Sequence, residues 1–196
     1  MGDHGCQRAP SSLSSRRLPL VAPALLSGRL VLRPLRPADR DDLFAILSDP
    51  RVAGRTDIEP LASPHEAAEL LSFLAQRLEQ DQGIRWAISL AGGDRLIGTA
   101  GFPGGDWSAG CAEIGFEVSP EQWGRGIATE AVRRLVTWAV REQGLRRIEA
   151  NTNPTNEASM AVLRKSGFVE VDAQECGQPG HWSRLRFFAW AVSPTS

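Results

Sequence analysis

The residues with the most chemical content in this 196-residue chain lie between positions 111 and 159. The run Trp123-Gly124-Arg125-Gly126-Ile127-Ala128-Thr129 joins an alternating stretch to one with helical spacing. A glycine-bearing turn that runs straight into a helix leaves several backbone N–H groups unpaired and pointing outward, where the helix dipole favours negative charge. Such a place suits a diphosphate. Gly124 and Gly126 allow close approach without an intervening Cβ, and Ala128 is the largest side chain such a contact tolerates. A lone Gly-x-Gly is more often a plain tight turn, and the context argues otherwise. Before it lies a strand pattern with Glu113 and Glu117 on one face, and after it Asn156-Glu157-Ala158-Ser159 opens a second helix. A dinucleotide fingerprint would need a third glycine and an acid ending the next strand, and a Walker loop would need Gly-Lys-Ser/Thr; neither is present. Cys6, Cys111 and Cys176 form no CxxC or His/Cys spacing, and His4, His65 and His181 form no triad, so no metal site is expected.

The elements that must position these groups read as follows. Leu30 to Pro34 suits a first strand. Two helices follow, one through Leu43, Phe44, Ile46 and Leu47 and ending before Pro50, the other opened by Ser63-Pro64-His65-Glu66 and carrying Leu70, Leu71, Leu74 and Leu78. Trp86–Leu90 and Leu96–Ala100 flank Gly92-Gly93-Asp94 as a hairpin, and a glycine-rich loop is expected over Pro103 to Gly110. Ala112, Ile114, Phe116 and Val118 alternate with Cys111, Glu113, Gly115 and Glu117. Ile127 to Gln143 is helical, Arg147 to Asn151 a strand, a further helix capped by Asn156 or Thr155 is terminated by Gly167, and Phe168–Val171 and Arg184–Ala191 are the last strands. The order is βααβββαβαββ, a mixed α/β sheet with strands paired both ways.

Composition excludes several classes. Lys+Arg at 22 nearly balances Asp+Glu at 23, so no global field draws the chain to nucleic acid or an anionic bilayer. No apolar run approaches the roughly 18 residues of a spanning helix, and neither membrane nor nucleic acid is expected as a partner. Sparse cysteines suit a reducing, cytoplasmic setting. Residues 1–27, rich in Ser, Arg and Pro without a period, read as a disordered arm or an over-extended start.

Taken together, LVLRPLRPAD, EIGFEVSPEQWGRGIATEAV and NEASMAVLRKSGF resemble the GNAT superfamily of acetyltransferases, in the branch typified by the ribosomal-protein N-terminal acetyltransferases. The superfamily pattern is Gln/Arg-x-x-Gly-x-Gly/Ala; Trp123 replaces its first polar residue, as is usual in this branch, while Gly126 and Ala128 match. The resemblance implies an N-acetyltransferase domain over 28–193 and acetyl-CoA as cosubstrate. It implies that the amides from Arg125 to Thr129 (Arg125, Gly126, Ile127, Ala128, Thr129), beside Gly124, hold the pyrophosphate. Phe116 to Val118 would pair with the pantetheine arm like an added strand, and Asn156, a helix cap in its own right, would touch the coenzyme.

The reaction that follows is transfer of acetyl to a primary amine by direct attack in a ternary complex. An alkyl ammonium must first lose a proton, and Glu113 is the expected base, with Glu117 in reserve. The oxyanion needs a fixed donor such as a backbone N–H. Many relatives protonate the departing thiolate with a tyrosine, but this chain has none, and Ser159 inherits the role that the branch assigns to its Asn-x-x-Ser serine. A covalent route through Cys111 lacks a histidine or basic neighbours in sequence. The acceptor is a protein N-terminus or a small amine, and the contrasting reading is a silent acetyl-CoA-binding sensor. Its pocket is assigned to the early helices and to loops around 51–61, 103–110 and 174–181, with Trp107 a candidate wall and Asp57, Glu59, Asp106 and Glu175 able to attract a cation. Oligomeric state is not readable, and a homodimer is left open.

Overall fold

The computed structural model describes residues 18–55, 59–173 and 185–192. Eight strands form one sheet: β1 Leu25–Ser27, β2 Leu30–Pro34, β3 Ile84–Leu90, β4 Gly98–Asp106, β5 Cys111–Val118, β6 Arg147–Thr152, β7 Val169–Val171 and β8 Arg186–Ala191. Their spatial order is β1-β2-β3-β4-β5-β6-β8-β7, antiparallel everywhere except between β5 and β6. Among the described residues five α-helices accompany them: α1 Arg40–Leu47, α2 Pro50–Ala53, α3 Pro64–Glu79, α4 Ile127–Arg141 and α5 Glu157–Lys165. The expected mixed α/β order is present, with β1 and the four-residue α2 added to it.

Period-two burial on the strands splits the sheet between two cores. Trp86, Ile88, Phe102, Ala112 and Ile114 pack with Leu135, Trp138 and Ala139 of α4 in the larger one. There Trp86 meets Trp138 edge-on at 4.9 Å between ring centroids. Leu43, Ile46, Leu47, Val52 and Leu71 bury Ala87 and Leu96 on the opposite face. Helix α3 opens as its sequence leads one to expect: Ser63 accepts from the Glu66 amide at 3.3 Å while Glu66 accepts from the Ala62 amide at 2.9 Å. Asp39 takes the Arg33 guanidinium in a fork of 2.9 and 2.7 Å, both side chains buried, and fixes the corner after β2.

Three expectations are corrected. The arm placed at 1–27 ends sooner: Leu18, Ala22 and Leu25 are buried in the larger core, and Leu25–Ser27 pair with β2 because Leu25 has an apolar slot to fill; residues 1–17 lie outside the described residues. The segment read as a glycine-rich loop is strand as far as Asp106, with Phe102 and Pro103 opposing Ile114 as a bulge between Gly101 and Gly104. Trp107 is core, stacked edge-on against Phe102 at 5.7 Å, and so is no wall of an acceptor pocket. Among the described residues no helix is long and apolar enough to cross a membrane, and no group of His, Cys, Asp and Glu is placed to hold a metal.

Candidate active site

The parallel pairing of β5 with β6 runs only from Cys111↔Arg147 to Glu113↔Glu149. Beyond it β5 continues to Val118 and β6 to Thr152 without pairing, so the sheet splits into a cleft. On the other side of β5 the antiparallel ladder fixes which backbone groups face that cleft. Ser119 donates to the Ile97 carbonyl at 2.9 Å; bonded pairs alternate, so Glu117 and Gly115 bond β4 while Phe116 and Val118 turn their amides and carbonyls away from it. The Val118 carbonyl is already taken by the Trp123 indole N–H at 2.8 Å, which leaves its amide and both groups of Phe116 on the open edge.

The cleft leads to the start of α4. Gly124 and Gly126 have φ of +73° and +75°, a region that side chains disfavour, and a Cβ on Gly124 would meet nothing within 4 Å. Among the described residues none of the amides from Gly124 to Thr129 has a carbonyl or side-chain acceptor; the first to be taken up is that of Glu130, which bonds the Gly126 carbonyl at 3.0 Å. Six consecutive N–H groups at a helix N-terminus therefore await an acceptor from outside. Arg29 braces the turn from behind, donating to the Arg125 carbonyl and, through Nε, to Glu130 at 2.9 Å.

Two adjoining cavities occupy the cleft. The first, about 310 Å³, is walled by Gly124, Gly126, Ile127, Ala128 and Thr129, with Val118 and Val162. Arg125, exposed, is not itself on that wall and donates to Gln122, which is, at 3.4 Å. The second, about 270 Å³, is walled by Glu113, Gly115, Arg85, Pro103, Asn151 and Asn153. Phe116, Glu117, Asn156, Ser159 and Arg55 belong to both walls. The row of backbone donors and the first cavity thus form a cradle joined to a second, polar chamber.

Within the chamber the two acids differ. Glu113 accepts from Asn151 Nδ2 at 2.9 Å. Its pKa is raised above the usual glutamate value, first by desolvation and further by the charge of Glu149, against the lowering effect of the Asn151 bond. Glu117 instead takes the Arg85 guanidinium and the Thr99 hydroxyl, the latter at 3.0 Å. Burial pulls Arg85 down to about 10, so it stays charged at neutral pH. An acid held in that pair is poorly placed to accept a proton, and Glu117 leaves the role of reserve base. Asn156 caps α5, accepting from the Ser159 amide at 3.0 Å, and donates to the Arg55 carbonyl at 2.7 Å. The Ser159 hydroxyl has no partner among the described residues. Cys111 sits at the paired end of β5, seven residues and about 23 Å along the strand from Val118, and lines neither cavity.

A model of the acetyltransferase (GNAT) domain matches residues 29–169, the span that holds the cleft and its cradle. The chain belongs to the GNAT acetyltransferase family. Over 146 residues it is 35% identical to the Bacillus subtilis protein named Uncharacterized N-acetyltransferase YoaA, covering 74% of this chain and 82% of that one. Its fold is shared with RimL, the ribosomal L7/L12 alpha-N-protein acetyltransferase in complex with coenzyme A, at a TM-score of 0.74 and 18% identity over 87% of this chain and 98% of that one. It is shared too with spermidine N-acetyltransferase from Vibrio cholerae in complex with CoA and spermine, at a TM-score of 0.69 and 20% identity over 83% and 95%. Membership makes this GNAT protein an acyltransferase with acetyl-CoA as cosubstrate, as its sequence leads one to expect.

Arg85, Arg55, Thr99 and Asn151 are site residues that the sequence reading does not single out. Arg85 left one signal, as the lone charge in the apolar run IRWAISL of β3. Arg55, whose guanidinium lies 4.2 Å over the Trp123 ring, left none.

Proposed function

We infer that this GNAT enzyme acetylates a primary amine by direct attack, with Glu113 as base and Ser159 as donor to the departing sulfur. The supporting observation is the shared wall: of the two cavities Glu113 lines the polar chamber, whereas Ser159 borders both the chamber and the cradle-side cavity. An amine in the chamber gives its proton to Glu113; its nitrogen bonds the acetyl carbon as the C–S bond breaks, and the Ser159 hydroxyl supplies a hydrogen bond or proton to the sulfur. The six amides from Gly124 to Thr129 fit the coenzyme's diphosphate, and the open edge at Phe116 and the Val118 amide fits an extended amide-bearing arm. The raised pKa of Glu113 suits a base that works near neutral pH.

The acceptor class is a protein N-terminus or a small amine, handled in a reducing setting such as the cytoplasm. Thiol release from acetyl-CoA, measured across N-terminal peptides, aminoglycosides, polyamines and amino acids, tests the reading. Release with at least one class is expected. Tight coenzyme binding with no release from any of them would instead favour a sensor.

A further inference from the structure

The two acceptor classes differ in what lies beside the amine: a peptide N-terminus carries a carbonyl oxygen two bonds from its α-nitrogen-bearing carbon, whereas a polyamine carries none. The chamber contains a group that distinguishes them. Arg85 on β3 faces Gly101 on β4, which faces Gly115 on β5. With no side chain at either glycine, the guanidinium lies across both strands, and a Cβ added to Gly115 would sit 3.7 Å from Arg85 Nη1. Nε donates to the Thr99 hydroxyl at 2.9 Å and Nη2 to Glu117. Nη1 has no acceptor among the described residues, and Arg85 lines the chamber.

We propose that Arg85 Nη1 is a specificity-determining donor for a neutral carbonyl oxygen next to the reacting amine, so that the acceptor is an α-amino acyl group such as a peptide N-terminus. This rests on the acetyltransfer reading above and narrows it. Glu113 and Gly115 are two residues apart on one face of β5, about 6.6 Å along the strand. In the proposed pose, with Glu113 and Arg85 on the wall of one chamber at that backbone spacing, the α-ammonium makes one hydrogen bond to Glu113 and its own carbonyl oxygen accepts one from Nη1. Because Glu117 already balances the Arg85 charge, Nη1 is a fixed donor whose own charge is matched, which suits an uncharged carbonyl better than a free carboxylate; Arg55, also on the chamber wall, holds its guanidinium over the Trp123 ring. A polyamine would bring further positive charge to a guanidinium and leave Nη1 unsatisfied.

The test uses the full chain with acetyl-CoA and a panel of dipeptide amides varied at the first residue. For the best of them, thiol release is compared with that of the analogue whose first carbonyl is a methylene, with the free amino acid and with spermidine, all per unprotonated amine. The methylene analogue is expected to lose roughly 10- to 100-fold in kcat/KM, the effect of one hydrogen bond to a charged donor, and the free amino acid and spermidine to fall below the amide. The paired variant Arg85→Gln with Glu117→Gln keeps the site neutral; its preference for amide over methylene analogue should shrink to within about three-fold, with retained coenzyme binding showing that it has folded. Equal rates for amide and analogue in the unaltered enzyme, or spermidine or the free amino acid as the better substrate, would overturn the proposal and leave acetyltransfer intact. Coenzyme binding without turnover of any amine would instead overturn the reading on which it rests.

Discussion

Gly126→Asp separates the anion cradle from the stability of the turn that forms it. Gly126 sits at φ +75° immediately before α4. A left-handed residue costs an ordinary L side chain about 1–2 kcal/mol, and aspartate is among the few that visit the region routinely. The fold should therefore lose about 1 kcal/mol, a fall of roughly 2–4 °C in Tm for a chain of this size. Coenzyme binding should lose far more. An N–H donating to a charged oxygen contributes about 1.5–3 kcal/mol, and six amides are unclaimed between Gly124 and Thr129. A carboxylate at Gly126 that repels the ligand from only two of them removes about 3–6 kcal/mol, more than 100-fold in Kd. Titration calorimetry with acetyl-CoA reads the affinity, and a melt without ligand reads the fold. Gly126→Asn, equally tolerated in the left-handed region but uncharged, should fall between the two. An affinity within a few-fold of the parent in a folded Gly126→Asp protein would refute the placement of the diphosphate at this turn.

Glu113→Gln should lower kcat by about 10²–10⁴, the usual contribution of a general base, while calorimetry shows acetyl-CoA affinity nearly unchanged. Since the Glu113 pKa is raised and the base acts when ionised, the acid limb of the kcat/KM profile should lie above the ordinary glutamate range. Asn151→Leu, which removes a bond that favours the carboxylate, should move that limb further up, and Glu149→Gln, which removes a repelling charge, should move it down; a limb indifferent to both would place the base elsewhere. Ser159→Ala should reduce kcat with little change in KM for either substrate, as measured by steady-state thiol release. Asp39→Ala strands the buried Arg33 guanidinium and should cost about 3–5 kcal/mol in a urea melt, without a specific effect on coenzyme affinity.

The parts of the molecule that could be read from the chain are those whose signals are local. Alternation from Cys111 to Val118, the apolar stripe of α4 and the turn Trp123–Thr129 each lie within one stretch, and the cleft is built where they meet. The Arg85–Thr99–Glu117 cluster was not legible because its members are 14 and 18 residues apart and meet only when three strands align. Glu117 read as an alternative base for the same reason: its partner is invisible along the chain. Leu18, Ala22 and Leu25 were hidden by a surrounding of serine, proline and arginine that carries no period, although each fills a gap in the larger core. Trp107 reads as a loop residue because glycines flank it, and it does stand in the turn between β4 and β5; what the chain alone does not show is the indole packed edge-on against Phe102 in the larger core. Asn156 was readable as a cap, but its tie to the Arg55 carbonyl was not, since 101 residues separate them.

One indole has consequences for how this protein can change. Trp123 bonds the end of β5, and its ring carries Arg55, whose carbonyl is held in turn by Asn156 at the head of α5. On the proposed function, the corner that would face the incoming amine is thereby fastened to the stretch that would hold the nucleotide end of the donor. A graft that retunes the Pro50–Arg55 corner for a new recipient molecule and takes the guanidinium off the ring would on that reading also slacken the hold on the donor, so a redesign of the corner keeps Arg55 over Trp123 or replaces the two side chains together.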